Sequence, residues 1–265
     1  MDINKRKQHL LNEYKKSLKQ NIMTSRFNNF TYNENKAYRE KNPHIGCVYC
    51  TPFPITLDIP QDNILVEKPC GVDIKDAELI KNAFPGYIFL YSDEYQYIKN
   101  NLDKIGNPQY WKSIRASMGP KVRSDVSILE DYMIHDLYLY RDLFGECKVY
   151  NKCWYKEFES PIKESSLHLL LNNKIPGYFY SSWNYPIKER KIIIKGDRGS
   201  FIWENDDLYY DSTHYINNEV VEGICEKIET TPKSNLDLEL DFFILGQKPN
   251  VNILDIWKLI NVINK

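Results

Sequence analysis

No two glycines in this 265-residue chain are separated by a single residue. A G-x-G turn is therefore absent, and with it the loop that lets backbone approach a diphosphate at a helix N-terminus. Long apolar runs are missing too. None approaches the roughly 20 residues that cross a bilayer. The first residues, MDINKRKQHLL, lack the apolar stretch of a secretory signal. Nor is there a basic excess: 35 Lys and Arg face 36 Asp and Glu, for a formal net charge of −1. That balance gives no global electrostatic footprint for nucleic acid. Cysteines are few and scattered, at 47, 50, 70, 147, 153 and 225. Such spacing excludes a dense disulfide scaffold and fits free thiols in a reducing compartment. Cys47 and Cys50 form C-x-x-C without the second pair that a zinc site needs. They also sit in a strand-like stretch, not at a helix N-terminus where a thiol pKa falls. No metal site is expected. The chain reads as soluble and cytoplasmic, with no membrane or nucleic-acid partner.

What is present is ordinary for a globular protein: 42% hydrophobic and 27% charged residues, in a length that buries a substantial core. Residues 3–20 carry a helical apolar spacing with basic flanks, and 24–44 read as a polar loop. The runs at 45–51, 63–66 and 87–91 read as strands, with a short amphipathic helix at 74–83 between the last two. That order belongs to an α/β layer. Helix follows around 92–104. Strands then dominate at 112–119, 147–155, 165–172, 177–183, 190–195 and 199–204, interrupted by a helix at 129–144. Two helices close the chain, the second with Ile253, Ile256, Leu259, Ile260 and Ile263 on one stripe. The second half reads as an open, mostly antiparallel sheet with helices on one face.

Two motifs carry chemistry. Glu67-Lys68-Pro69 follows a strand. Loops at the carboxyl ends of such strands are where α/β sheets bind ligands. A lysine there donates to a hydroxyl or stabilises a developing alkoxide. The second motif is Asp131-x-x-x-His135 on the 129–144 helix. Residues four apart share a helix face. A carboxylate beside an imidazole orients it and suits it to general acid/base work near neutral pH.

A strand-end lysine followed some sixty residues later by D-x-x-x-H resembles the Gfo/Idh/MocA oxidoreductases. VYCTP, SDVSILEDYMIHDLYLYRDLFG, ERKIIIKGDRGSFIWE and LDLELDFFILGQKPN resemble further segments of that family, in the same order. The resemblance implies a reduced Rossmann-like N-terminal domain (1–92) and an α+β substrate and oligomerisation domain (93–265). It implies oxidation of a secondary hydroxyl of a sugar, cyclitol or nucleotide sugar, with NAD or NADP as hydride acceptor. Lys68, Asp131 and His135 would be catalytic. Thr51, Pro52, Glu67 and Lys68 would lie at the cofactor. Tyr91, Glu94, Tyr95, Arg123, Trp183, Asn184 and Tyr185 are candidates for the substrate pocket. A homo-oligomer formed through the open sheet is also implied.

The departure from the family lies in the nucleotide-binding half. Besides the missing G-x-G, Pro54 and Pro60 break any helix between the Thr51-Pro52 turn and the Glu67-Lys68-Pro69 strand. Loss of the diphosphate cradle removes orders of magnitude in dinucleotide affinity, at about 1.4 kcal/mol per factor of ten. Two readings stay open: an oxidoreductase with non-standard or lost NAD(P) binding, and a non-catalytic sugar- or nucleotide-sensing module.

Overall fold

The computed structural model describes residues 64–71, 73–118, 127–155, 166–172, 174–230 and 233–265, and the backbone of 47–49. The helix and loop expected before residue 45 lie outside these. The described residues fall into two compact units. One takes in the chain up to Ile88 together with Ser234–Leu254; the other is Phe89–Lys233 with Asp255–Lys265. The sequence division at 92/93 keeps Ser234–Leu254 with the second domain, whereas here that segment clusters with the first unit.

The first unit holds a parallel sheet in the order β1 (Cys47–Tyr49), β2 (Ile64–Glu67), β3 (Phe84–Gly86). Ile64, Leu65 and Val66 are all buried, as expected of a parallel strand covered on both faces. Helix α1 (Ile74–Leu79) follows. Its N-cap Asp73 accepts the backbone N–H groups of Lys75 and Asp76 at 2.8 and 3.0 Å, satisfying two donors the helix cannot. The sequence predicts this helix to 83 and a strand at 87–91. Instead the helix stops at Leu79, the strand is Phe84–Gly86, and Ile88–Tyr91 is a 3-10 turn. Pro85 stands in β3, an edge strand among the described residues, where a sheet tolerates a residue without an N–H. Helix α4 (Asn235–Leu245) belongs here, with Phe243 edge-on to Phe84 at 5.3 Å.

The second unit is built on an eight-stranded sheet. Its strands are β4 (Pro108–Met118), β5 (Lys148–Tyr155), β6 (Ser166–Asn172), β7 (Gly177–Ser182), β8 (Asn184–Gly196), β9 (Ser200–Glu204), β10 (Asp207–Asp211) and β13 (Cys225–Ile228). The order is β13-β10-β9-β8-β4-β7-β6-β5. Only β4 and β7 pair in parallel. β8 is longer than the 190–195 expected, and the strands beyond residue 204 were not foreseen. One of these, β11 (His214–Ile216), forms a separate hairpin with β12 (Glu219–Val221). Its turn residues Asn217 and Asn218 have φ of 53° and 68°, the backbone that a two-residue hairpin loop demands.

Alternation along the strands gives the sheet two distinct faces. Trp111, Leu169, Phe179, Ile192, Ile194 and Phe201 point to one and are buried. Helix α3 (Ile134–Phe144) covers it, with the Tyr140 ring edge-on to Trp111 at 5.8 Å and to Phe179 at 5.5 Å. The other face carries exposed Tyr110 and Leu170, with Tyr178, Tyr180 and Ile193 half-buried. Helix α2 (Asp93–Asn100) is capped by Ser92, whose hydroxyl accepts the Tyr95 N–H at 3.3 Å. The terminal helix is α5 (Ile253–Ile263). None of the described helices is long and apolar enough to cross a membrane.

Candidate functional site

In the first unit, β2 delivers Glu67-Lys68-Pro69 to the carboxyl edge of the parallel sheet. The chain turns there at once: the Cys70 N–H donates to the Glu67 carbonyl at 2.8 Å, and Cys70 adopts φ 58°. The Cys70 thiol is fully enclosed and donates to the Val66 carbonyl at 3.1 Å. Burial, reinforced by the Glu67 charge, pushes its pKa well up. From α4, the Glu239 carboxyl is fully buried, and neither oxygen has a hydrogen-bond partner among the described residues. Burial first, then the nearby Glu67 charge, raises the Glu239 pKa well above the usual range. Thr51 and Pro52 lie outside the described residues.

In the second unit, Ser127 and Glu130 form a capping box. The Ser127 N–H donates to the Glu130 carboxylate at 2.9 Å, and the Glu130 N–H donates to the Ser127 hydroxyl at 3.3 Å. The next turn, Leu129–Met133, is π-helical before α3 begins at Ile134. Such widened turns recur at functional sites. Asp131 lies in this turn and His135 just beyond it. The Asp131 carboxylate accepts the Trp183 indole N–H at 3.3 Å. The His135 Nδ1 is hydrogen-bonded to the Tyr138 hydroxyl at 2.9 Å. That hydroxyl also accepts the Phe89 backbone N–H at 3.3 Å. The Phe89 ring meets the imidazole nearly perpendicular, with centroids 5.1 Å apart.

Trp183 thus joins Asp131. The other pocket candidates stand elsewhere. Tyr91 and Tyr95 are each 1% exposed. The Tyr95 hydroxyl donates to Asp142 at 2.6 Å, and that carboxylate also receives Lys99 at 2.7 Å. Glu94 accepts the Thr230 hydroxyl at 3.1 Å. Tyr185 packs against Tyr180 of the open sheet face at 6.1 Å. The Asn184 N–H is taken by the Ser182 hydroxyl at 3.0 Å. Arg123 lies outside the described residues.

Four residues near His135 were not foreseen. From β4, Arg115 reaches the covered face of the sheet and donates Nε and Nη2 to one oxygen of Asp136, at 3.2 and 2.8 Å. Its guanidinium also lies over the Phe89 ring, 4.8 Å from the centroid. Asp136 is 1% exposed. Burial raises its carboxyl pKa more than the Arg115 charge lowers it. Arg190 of β8 stands directly opposite Arg115. Phe89, Arg115, Arg190, Lys191, Ile192, Trp203 and Asn205 line a small half-open cleft. The only hint in the sequence was the acid directly after the candidate histidine. No His, Cys, Asp and Glu group suited to a metal ion occurs among the described residues.

No family model and no curated protein sequence matches this chain. Solved structures do share its fold, and those neighbours are oxidoreductases of the Gfo/Idh/MocA type. Levoglucosan dehydrogenase, in complex with NADH and L-sorbose, aligns with a TM-score of 0.66 over 86% of this chain and 79% of its own, at 13% identity. UDP-N-acetylglucosamine 3-dehydrogenase from Acidithiobacillus ferrooxidans aligns with a TM-score of 0.60 over 76% and 68%, at 19% identity. An oxidoreductase from Agrobacterium radiobacter, in complex with NAD+, L-tartaric acid and magnesium, aligns with a TM-score of 0.58 over 78% and 69%, at 18% identity.

Proposed function

We propose that this chain is an oxidoreductase-type protein acting on a secondary hydroxyl of a sugar, cyclitol or nucleotide sugar. The observation that carries the proposal is the fixed imidazole of His135, tied through Nδ1 to Tyr138 and flanked by Phe89. In the tautomer that donates Nδ1–H to the Tyr138 hydroxyl, Nε2 is the basic nitrogen that takes the substrate hydroxyl proton. Asp131, already holding Trp183, positions the substrate. Lys68, at the carboxyl end of a parallel strand, assists as a fixed cation.

NAD or NADP is the acceptor that the resemblance implies. A lysine at the strand edge suits the reacting end of such a cofactor, with Thr51, Pro52 and Glu67 as its neighbours in the motif. The diphosphate end is different: the whole chain holds no G-x-G cradle. The residues therefore do not fit a dinucleotide bound in the usual way. That absence favours a second reading, a sugar- or nucleotide-sensing module that keeps the substrate pocket without turnover.

Calorimetric titration with NAD+, NADP+ and their reduced forms, paired with turnover assays on sugars and nucleotide sugars, separates the two. The enzyme reading expects turnover that His135→Ala abolishes while the fold persists. Turnover that survives this change would refute the assignment. Saturable sugar binding without turnover supports the sensing module.

The open face of the eight-stranded sheet is proposed as a homo-oligomer interface. Exposed Tyr110, Tyr155 and Leu170 lie there beside half-buried Ile193 and Tyr180. Large apolar patches on one surface mark association sites.

A further inference from the structure

We infer that the cleft beside Phe89 is an oxyanion subsite, in which Arg190 and Arg115 receive a carboxylate or phosphate carried by the substrate. The inference rests on the proposed action of His135 on a hydroxyl and adds the chemical class of the molecule bearing it: a sugar acid or a sugar phosphate.

The argument begins with charge. Arg115 and Arg190 are directly opposed on antiparallel β4 and β8, so their side chains leave the same face of the sheet a few ångströms apart. Like charges directly opposite one another are unfavourable, and a folded chain normally supplies counter-charges. Here it supplies one. Asp136 takes Arg115 through a single carboxylate oxygen. Arg190 is half-buried, and no carboxylate among the described residues lies within ion-pair distance of it. Asp206, Tyr132 and Asp136 act on it only from further away. Lys191, next along β8, points to the opposite face and is paired with Glu204 at 3.1 Å.

The walls give a second, independent observation. Trp203 lines the same cleft and is 6% exposed, yet its indole N–H has no acceptor among the described residues. A buried donor without a partner is uncommon. The backbone fixes the surroundings: the Asn205 N–H donates to the Arg190 carbonyl at 2.8 Å, and Ile192 stands opposite Trp203. The cleft thus presents two guanidinium groups against one compensating carboxylate, between apolar walls. An oxyanion supplies the counter-charge that Arg190 lacks. A planar guanidinium fork matches carboxylate and phosphate alike, and low local polarity strengthens the contact.

Phe89 links this cleft to the proposed chemistry. One side of its ring meets His135 and one face meets Arg115. A substrate spanning the phenyl ring would place a hydroxyl at the imidazole and its anionic group at Arg190.

The test is titration of the full chain with glucose, glucuronate, glucose 6-phosphate and inorganic phosphate, read by calorimetry and tryptophan fluorescence. The two acidic sugars separate a carboxylate source from a phosphate source. Either or both of these should bind saturably, more tightly than glucose, with affinity falling as salt is added. Arg190→Gln should weaken that binding roughly tenfold, the share of one charge-assisted contact, while Arg190→Lys retains part of it. Trp203→Phe, which removes the N–H and trims the aromatic wall, should weaken it less. Equal binding by wild type and Arg190→Gln, or no saturable binding of any anion, overturns the subsite. Anion binding through Arg190 without turnover on any substrate would leave the subsite standing and the oxidoreductase reading failed. Turnover of neutral sugars unaffected by Arg190→Gln would do the reverse.

Discussion

The Tyr138 hydroxyl bridges the His135 imidazole and the Phe89 backbone N–H, at 2.9 and 3.3 Å. The histidine is therefore oriented from one turn further along its own helix as well as from outside it. Tyr138→Phe removes the bridge without leaving a cavity. If His135 is the acid/base group, kcat should fall by roughly ten- to a hundredfold, part of the usual worth of a positioned base. KM should stay near the wild-type value, and the pH–rate profile should move. Steady-state kinetics over a pH series on the substrate identified in the turnover screen would check this. An unchanged kcat and profile would show that Tyr138 does not orient a reacting group.

Arg115 and Asp136 form an ion pair inside the covered face of the sheet, at 7% and 1% exposure. Removing one partner leaves the other charge buried and uncompensated, which costs about 3–5 kcal/mol. Asp136→Asn should lower the urea midpoint accordingly. The double change Arg115→Met with Asp136→Leu should recover much of the loss. A double variant as unstable as the single one would mean that packing, not charge, dominates there.

Glu239 binds its proton more tightly in the folded chain than in the unfolded one, because burial and the Glu67 charge oppose its ionisation. Below the ordinary glutamate value of 4.5, both states are protonated and no ionic cost arises. Above it, the unfolded chain releases the proton and the folded chain does not. Stability should fall by about 1.4 kcal/mol per pH unit through this window, until the raised pKa is passed. Glu239→Gln should remove that slope and raise stability at neutral pH. Chemical denaturation at several pH values would read the difference; parallel curves for the two proteins would rule out the account.

A charge in the middle of an apolar association surface should prevent assembly. Ile193 stands in β8 near the centre of the open sheet face. Ile193→Glu should convert an oligomer to monomer in analytical ultracentrifugation, with little change in thermal stability. A wild-type chain that sediments as a monomer at micromolar concentration removes the interface proposal altogether.

How much was legible in the sequence depended on the range of the signal. Asp131 and His135 carry a fixed local spacing that reads as one helix, and the structure sets Asp131 in a π-helical turn with His135 in the α-helix that follows. The run at 87–91 misled, since a short apolar aromatic stretch fits a strand and a buried turn equally well. It resolves as a 3-10 turn that buries Leu90 and Tyr91. β8 was underestimated because Pro186 and a polar stretch precede its apolar half. Tyr95 looked like a pocket residue, and only tertiary structure shows its hydroxyl enclosed against Asp142. The facing of Arg115 and Arg190 depends on β4–β8 register over some seventy residues, which no local pattern encodes.

The division of the chain has a consequence for synthesis. Each compact unit is made of two separated stretches, with Ser234–Leu254 completing the first and Asp255–Lys265 the second. During translation, neither can close on its nascent amino-terminal part. The eight-stranded sheet must emerge from the ribosome while both units still lack a segment. Final assembly of each then waits on Ser234–Lys265, about 1.5–6 s of elongation at the usual rate. A stop codon near residue 233 would leave two incomplete bodies, not one intact domain and one lost.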